Sequence, residues 1–215
     1  GIQVGKTTAE LAALTYYMLH EPSPIILVEP SSKLVEDIGR DRIRPQIAQT
    51  PELKELFEGE NLGTQFRNKE TNITKSKLVF PAGFLQLASA QSKTDLISRA
   101  CRIVLCDEID QYAPRPDGKA VDLAIGRSTT FFDHKVMMVS SPSTLSTSEI
   151  WRRLHENDVD QYEYRIPCPH CGYAFAWKWS DASWIDDKPE TASIHCRECG
   201  EQIRDGGVCS DQLLS

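Results

Sequence analysis

Short apolar runs that end in polar residues alternate along this chain with longer segments of helical spacing. The apolar runs occupy residues 25–30, 102–106 and 135–139, and each has the length and composition of a buried strand in a parallel sheet. Residues 8–20 are rich in alanine and leucine at helical spacing. This alternation predicts an α/β fold in which right-handed crossovers connect a mainly parallel sheet flanked by helices.

Two more strands are predicted between the first and second of these runs. They occupy residues 72–80 and 84–90 and are joined by Pro81-Ala82-Gly83, a composition typical of a hairpin turn. With 215 residues and a hydrophobic content of 40%, the chain can bury one substantial core and one small additional module.

The tetrapeptide Gly5-Lys6-Thr7-Thr8 matches the second half of a phosphate-loop motif. Glycine permits the tight turn that directs backbone N–H groups at phosphate oxygens. In this interpretation all four residues bind ATP: Lys6 reaches the β- and γ-phosphates, Thr7 binds Mg²⁺, and the following helix N-terminus attracts the anion. Gly-Lys-Thr also occurs by chance on surfaces. Because residue 1 already lies inside the motif, we expect the chain to be a fragment of a longer protein.

The acidic pair Asp107-Glu108 follows the strand predicted at residues 102–106. A carboxylate at the strand tip can hold Mg²⁺, and the next one can polarise the water that attacks a phosphate. An acidic surface turn is the alternative. The order of a phosphate loop, an intervening strand and this acidic pair favours an ATPase, with Asp107 and Thr7 as Mg²⁺ ligands and Lys6 and Glu108 as catalytic residues.

A hydroxyl-rich segment, Ser140-Ser141-Pro142-Ser143-Thr144, follows the strand predicted at residues 135–139. At the carboxyl edge of such a sheet its hydroxyls can sense the γ-phosphate, and Ser141 is assigned to the nucleotide site. A serine- and proline-rich turn is the alternative. An arginine often neutralises the transition state in such sites, and the candidates are Arg99 and Arg127, although each residue is more often a surface or salt-bridge arginine.

Four of the seven cysteines form two Cys-x-x-Cys-Gly turns, Cys168 with Cys171 and Cys196 with Cys199. Two such turns supply the four thiolates of a closed, structural Zn²⁺ site. From about Tyr162 the composition changes to cysteine pairs, aromatic residues and turns. We therefore predict an ATPase domain over residues 1–160 and a small zinc-ribbon-like module over residues 161–215.

The net charge of −7 gives the chain no global basic field, so any DNA contact has to come from local patches. Among these, Lys75 and Lys77 on the predicted hairpin are favoured because few acidic residues lie near them in sequence. No apolar run of about 18 residues and no leader peptide is present in the sequence, which predicts an intracellular protein without a membrane partner.

Taken in order, the motifs resemble those of the large terminase subunit of tailed, lambda-like phages. They are the phosphate loop through Thr7, Arg99, Asp107-Glu108-Ile109-Asp110, the serine segment at residue 140 and Cys168-Pro169-His170-Cys171-Gly172. The resemblance implies an ATPase of the RecA/ASCE type that packages double-stranded DNA in the host cytoplasm. It further implies a small terminase subunit, a portal and procapsid, and a homo-oligomeric ring as partners. A nuclease domain would follow this chain.

One residue departs from that family's pattern. Many terminases carry an arginine inside the phosphate loop, and Ile2 stands at the corresponding position here, which leaves the source of a catalytic arginine open. Two other functions also stay open. Asp107-Glu108-Ile109-Asp110 resembles the acidic box of superfamily-two helicases, and a zinc-binding module on a catalytically silent NTPase scaffold would share the same motifs.

Overall fold

The computed structural model describes residues 5–58, 77–156 and 159–203 of the chain. The chain divides into two compact units, Gly1–Glu156 and Asn157–Ser215. In the described part of the first unit, the helices and strands in chain order are α1 (Lys6–Leu19), β1 (Pro24–Glu29), α2 (Ser32–Ile38), α3 (Arg44–Gln49), α4 (Pro51–Glu58), β2 (Lys77–Phe80), β3 (Gly83–Ser89), α5 (Lys93–Ile97), β4 (Ile103–Cys106), α6 (Ala120–Ile125), β5 (Lys135–Met138) and α7 (Glu149–Leu154).

A mixed, mainly parallel sheet forms the centre of the first unit, which confirms the prediction of an α/β fold with a mainly parallel sheet. Among the described strands its order is β2-β3-β1-β4-β5. β1 pairs in parallel with β3 and β4, β4 pairs in parallel with β5, and β2 runs antiparallel to β3. The register Val28↔Cys106 places the carboxyl ends of β1 and β4 side by side, so the residues that follow them meet at one edge of the sheet.

Apolar side chains cover both faces of this sheet, as expected for strands that are apolar at every position. Leu27 and Leu105 contribute to one core with Leu14 and Met18 of α1. The alternate strand residues, Val28 and Cys106 among them, belong to a second core that also includes residues of α5 and α6. Packing in both cores fixes where the ends of the strands lie, and therefore where the polar residues that follow them lie.

The helical path that begins with α2 continues past Pro45. A five-residue π-helical turn, Gly39–Ile43, joins α2 to α3, and the amide of Arg44 donates to the carbonyl of Gly39. Pro45 lies in the first turn of α3. N–H groups in a first turn have no acceptor within the helix, so the N–H group that proline lacks costs no hydrogen bond there. The π-helical turn therefore allows Pro45 to follow α2 without ending the helical path.

In the described part of the second unit the elements are short strands: β6 (Ile166–Pro167), β7 (Ala174–Phe175), β8 (Ala182–Ile185), β9 (Lys188–His195) and β10 (Gln202–Ile203). β6 pairs with β7, and β9 pairs with both β8 and β10, all antiparallel. Its buried apolar cluster consists of Cys168, Phe175, Cys196 and Ile203. A core of this size supplies little stability without an additional cross-link or metal.

Across the described ranges, the structure contains no helix with both the length and the apolar character needed to span a membrane.

Candidate functional site

The chain enters α1 through a glycine whose conformation suits a phosphate loop. Gly5 has φ of 79°, in the left-handed region where a Cβ atom causes strain. Its carbonyl accepts a hydrogen bond from the amide of Ala9 at 2.9 Å, so the helix begins directly at Lys6. Lys6, Thr7 and Thr8 therefore form the first turn of a 14-residue helix, whose N-terminus attracts anions.

Thr7 and Asp107 lie in contact, although 100 positions separate them. The hydroxyl of Thr7 donates to Oδ2 of Asp107 at 3.0 Å, and the amide of Asp107 donates to the carbonyl of Val28 at 3.0 Å. Burial raises the pKa of Asp107 above its usual value, partly offset by the Thr7 hydrogen bond. Its other oxygen, Oδ1, is buried and has no hydrogen-bond partner among the described residues. A hydroxyl beside a partly unsatisfied carboxylate is a suitable donor set for Mg²⁺.

Lys6, Glu108 and Ser141 form a second group of contacts at the same edge. The ammonium group of Lys6 donates to the hydroxyl of Ser141 at 3.0 Å and lies 3.6 Å from Oε1 of Glu108. The amide of Ser141 donates to Oε2 of Glu108 at 3.3 Å. Glu108 itself has φ of 48°, an uncommon conformation for a residue with a side chain, and such backbone strain is concentrated at functional sites.

The segment that carries Ser141 is held to the acidic turn by Asp110. Its Oδ2 accepts from the amide of Ser143 at 2.8 Å, and its Oδ1 accepts from the amide of Ile150 at 2.9 Å. The amide of Asp110 donates to the hydroxyl of Ser140 at 3.1 Å. Burial opposes ionisation of Asp110, but the hydrogen bonds that its carboxylate accepts from Ile150 and Ser143 lower its pKa. Asp110 thus connects the Glu108 turn to both ends of the segment from Ser140 to α7.

Two buried carboxyl groups near this site were not assigned to it from the sequence. Glu10 on α1 and Glu29 at the end of β1 are 1% and 5% exposed. Burial raises the pKa of Glu10 to about 9 and that of Glu29 to about 8, and in both cases Asp107 and Glu108 add to the increase. The signal for Glu29 is in the sequence, because Glu29 ends its strand just as Asp107 follows β4.

Neither arginine proposed from the sequence reaches this group of residues. The guanidinium carbon of Arg99 lies 5.7 Å from the ring centroid of Phe84, and Phe84 pairs with Pro24 at the amino end of β1. The guanidinium group of Arg127 lies 3.5 Å from the carbonyl oxygen of Ile97. The carbonyl of Arg127 accepts a hydrogen bond from the amide of Cys101, which comes shortly before β4. Both therefore lie at the amino edge, a strand length away from Asp107. This placement differs from the sequence expectation, in which Arg99 and Arg127 are candidates for the nucleotide site, because both residues come before a strand and not after one.

The four described cysteines of the second unit form one cluster. All four Sγ atoms lie within 4.8 Å of one another, with distances of 3.8 Å for Cys168–Cys199 and 3.7 Å for Cys171–Cys196. A tetrahedral zinc ion with Zn–S bonds of about 2.3 Å keeps its sulfurs about 3.8 Å apart, so the thiols present fit that ion.

Cys101 and Cys106 lie in the first unit, where both are buried, and burial raises the pKa of their thiols to about 11 and about 12. Cys209, like Lys75 of the predicted basic patch, lies outside the described residues. The structure therefore brings together the four predicted zinc ligands and places the two buried thiols elsewhere.

Comparison with known proteins identifies one family. Residues 1–208 match the family described as "Phage terminase large subunit gpA, ATPase domain". The chain is also 24% identical over 206 residues to the large terminase subunit of Enterobacteria phage P21. That alignment covers 92% of this chain and 31% of the relative, so the chain spans about a third of the length of the curated relative it matches.

Two solved structures are similar to part of the chain. The large terminase of a thermophilic bacteriophage is 12% identical with a TM-score of 0.45, over 74% of this chain and 36% of that protein. The large terminase ATPase domain of Thermus phage P74-26 is 18% identical with a TM-score of 0.46, over 67% and 58%. At these scores the family assignment depends on the sequence match and not on structural similarity.

Proposed function

The chain belongs to the gpA family of phage terminase large subunits, as the ATPase domain, and we propose that it hydrolyses ATP to drive double-stranded DNA into a procapsid. The observation that carries this proposal is the meeting of Lys6, Thr7, Asp107, Glu108 and Ser141 at one edge of the sheet. The family assignment also favours a packaging motor over a helicase or a silent scaffold.

Binding of ATP involves the loop and the first turn of α1. The left-handed Gly5 allows backbone amides to face the phosphates, with Thr8 in the same turn. Lys6 exchanges its contacts with Ser141 and Glu108 for phosphate oxygens, and Ser141 hydrogen-bonds the same anion. A bound γ-phosphate would therefore separate Lys6 from Glu108, which leaves the Glu108 carboxylate available to a water molecule.

Hydrolysis requires a base and neutralisation of the phosphate charge. Glu108 accepts a proton from water while the water oxygen bonds to the γ-phosphorus and the bond to the bridging oxygen of ADP breaks. Mg²⁺ supplies positive charge to the phosphates when bound, and Thr7 and Asp107 would hold it. Ser141, whose amide contacts Glu108, reports the presence of the γ-phosphate to the segment that follows.

Arg99 is assigned to a nucleotide site other than that of its own chain. It is exposed and lies at the amino edge, and β4 alone spans about 13 Å at about 3.3 Å per residue. An arginine in this position cannot reach the ATP of its own chain. In the homo-oligomeric ring proposed for the family, Arg99 instead completes the nucleotide site of a neighbouring copy.

The remaining proposals concern the zinc site and the whole protein. Cys168, Cys171, Cys196 and Cys199 hold one structural Zn²⁺ in a zinc-ribbon-like module over residues 161–215, which follows the ATPase domain at residues 1–160. The parent protein also carries an endonuclease, and it acts in the host cytoplasm with a small terminase subunit and a portal. DNA contacts come from local basic residues such as Lys77, since the chain has a net charge of −7.

An in vitro packaging assay tests this function. The parent protein, procapsids, small subunit and linear double-stranded DNA are incubated with ATP, and the DNA that becomes resistant to nuclease is measured. We expect ATP-dependent protection with the wild type and none with Lys6→Ala. Lys33→Ala is the matched control, because Lys33 is an exposed residue of α2. Equal packaging by Lys6→Ala and the wild type would refute the proposal.

A further inference from the structure

A cavity of about 380 Å³ lies beside the Thr7–Asp107 contact. Its wall includes Thr7, Glu29 and Asp107, together with Asp37, Asp41 and Arg42. Asp37 and Asp41 both form ion pairs with Arg40, which leaves Glu29 and Asp107 as the lining carboxyl groups for which the described residues show no ion pair. Carboxyl oxygens beside a nucleotide site are suited to a divalent cation.

Glu29 lies level with Asp107 across two paired strands. Val28 pairs with Cys106 in parallel register, so the next residues, Glu29 and Asp107, occupy equivalent positions on neighbouring strands. Equivalent residues of parallel strands project to the same face, and the strands lie about 4.8 Å apart. Both side chains line the cavity, with Thr7 beside them.

One oxygen of each of these two carboxyl groups has no hydrogen-bond partner among the described residues. Oε1 of Glu29 and Oδ1 of Asp107 are fully buried, and neither has a hydrogen-bond partner in the part of the chain that the structure describes. Glu29 is 95% buried by accessible surface, since its exposed fraction is 5%. Burying a carboxyl group without a hydrogen bond or counter-ion costs several kcal/mol. Two unsatisfied oxygens on residues that line one cavity therefore point to a ligand with positive charge or hydrogen-bond donors.

We propose that Glu29 is a third protein group of the Mg²⁺ pocket, where it orients the hydrated ion beside Thr7 and Asp107. This inference rests on the proposed ATPase function. Mg²⁺ retains several waters in proteins, and carboxylates that accept from such waters position the ion. Glu29 is therefore a positioning residue, which acts on the metal and not on the phosphate.

Binding of a fluorescent ATP analogue to the purified protein tests this role without measuring turnover. Mg²⁺ is titrated at a fixed analogue concentration, and the affinity for the analogue is measured separately in EDTA. Glu29→Gln should raise the half-saturating Mg²⁺ concentration by about tenfold, the lower end of the effect of losing such a group. Its affinity in EDTA should stay the same, because Glu29 acts on the metal and not on the phosphate. Glu36→Gln on the exposed face of α2 should behave as the wild type.

Three results are informative. The same Mg²⁺ midpoint for Glu29→Gln and the wild type would overturn the role of Glu29 but not the proposed ATPase function. An equal loss of affinity for the analogue with and without Mg²⁺ would do the same, because it indicates a structural role for Glu29. Failure of the wild type to bind the analogue at any Mg²⁺ concentration would overturn the proposed function as well. If Glu29→Gln does not fold, Glu29→Asp keeps the charge at a shorter reach, and its midpoint should then still lie above that of the wild type.

Discussion

Lys6 and Ser141 are 135 positions apart in the chain, and their side chains are hydrogen-bonded at 3.0 Å. This contact joins the start of α1 to the segment after β5, and Glu108 contacts both residues. The group that would bind phosphate is therefore linked directly to the proposed base and to a segment that leads into α7. A change at the phosphates has a short path to the surface of the domain.

Asp110 is expected to keep that path intact. Asp110→Asn preserves the shape of the side chain but loses one acceptor and its charge, and a hydrogen bond to a charged group contributes about 1.5–3 kcal/mol. We expect kcat for ATP to fall about tenfold, equivalent to about 1.4 kcal/mol, with little change in KM. Steady-state ATPase kinetics measure both. Asp122→Asn is the control, since Asp122 forms an exposed ion pair with Arg153, and an unchanged kcat in Asp110→Asn would contradict the prediction.

Arg99 is expected to act between copies of the protein. Arg99→Ala and Glu108→Gln should each be nearly inactive alone, because one lacks the arginine and the other lacks the base. Mixed in equal amounts under conditions of ring assembly, they should regain part of the wild-type ATPase rate, since a Glu108→Gln copy still presents Arg99 to its neighbour. A mixture no more active than its separate components would exclude this arrangement.

Comparing the position of Arg99 with the positions of Asp107 and Ser140 shows which features of the site the sequence can predict. Asp107 and Ser140 each follow a short apolar strand, and parallel register brings such residues to a common edge. The sequence predicts this common edge well, because it depends on the direction of the strands more than on their order in the sheet. Arg99 is a sequence candidate for the nucleotide site, but it comes before its strand and lies at the opposite edge.

Other features depend on coordinates that local sequence does not determine. The two backbone amides that Asp110 accepts belong to Ser143 and Ile150, and their positions depend on the path of an irregular segment. The π-helical turn Gly39–Ile43 lies within a sequence of ordinary helical character. The burial of Glu10, 1% exposed, depends on packing of α1 against the sheet, since a glutamate on a helix usually faces solvent.

The second unit is expected to contain about one zinc ion per chain, held by four thiolates. Inductively coupled plasma mass spectrometry of untagged protein should detect it, and Cys196→Ser should lose most of the metal. Chelation should also change tryptophan fluorescence, because Trp177, Trp179 and Trp184 belong to this unit and its buried cluster is small. Cys209→Ser is the control. Metal-free wild type with four freely titratable thiols would exclude the site.

Lys77 is expected to contribute to DNA binding through phosphate contact alone. Its ammonium group lies 4.7 Å from the Phe84 ring centroid, and burial together with the charge of Arg99 lowers the pKa of Lys77. Lys77→Glu should weaken binding equally on unrelated sequences and reduce the salt slope by about 1. Lys93→Glu is the control, as Lys93 pairs with Asp117 at 3.3 Å. Unchanged binding by Lys77→Glu would place the DNA path elsewhere.

The most direct test of the account is single-site turnover by Glu108→Gln. The amide keeps the shape of the side chain but cannot accept the proton of the attacking water, so hydrolysis should fall by about 10²-fold or more. Affinity for ATP, measured by equilibrium binding, should remain close to that of the wild type. Glu52→Gln, an exposed residue of α4, should hydrolyse ATP normally. Glu108→Gln is therefore expected to bind ATP without turning it over, and a wild-type rate of hydrolysis by this variant would contradict the assignment of Glu108 as the base.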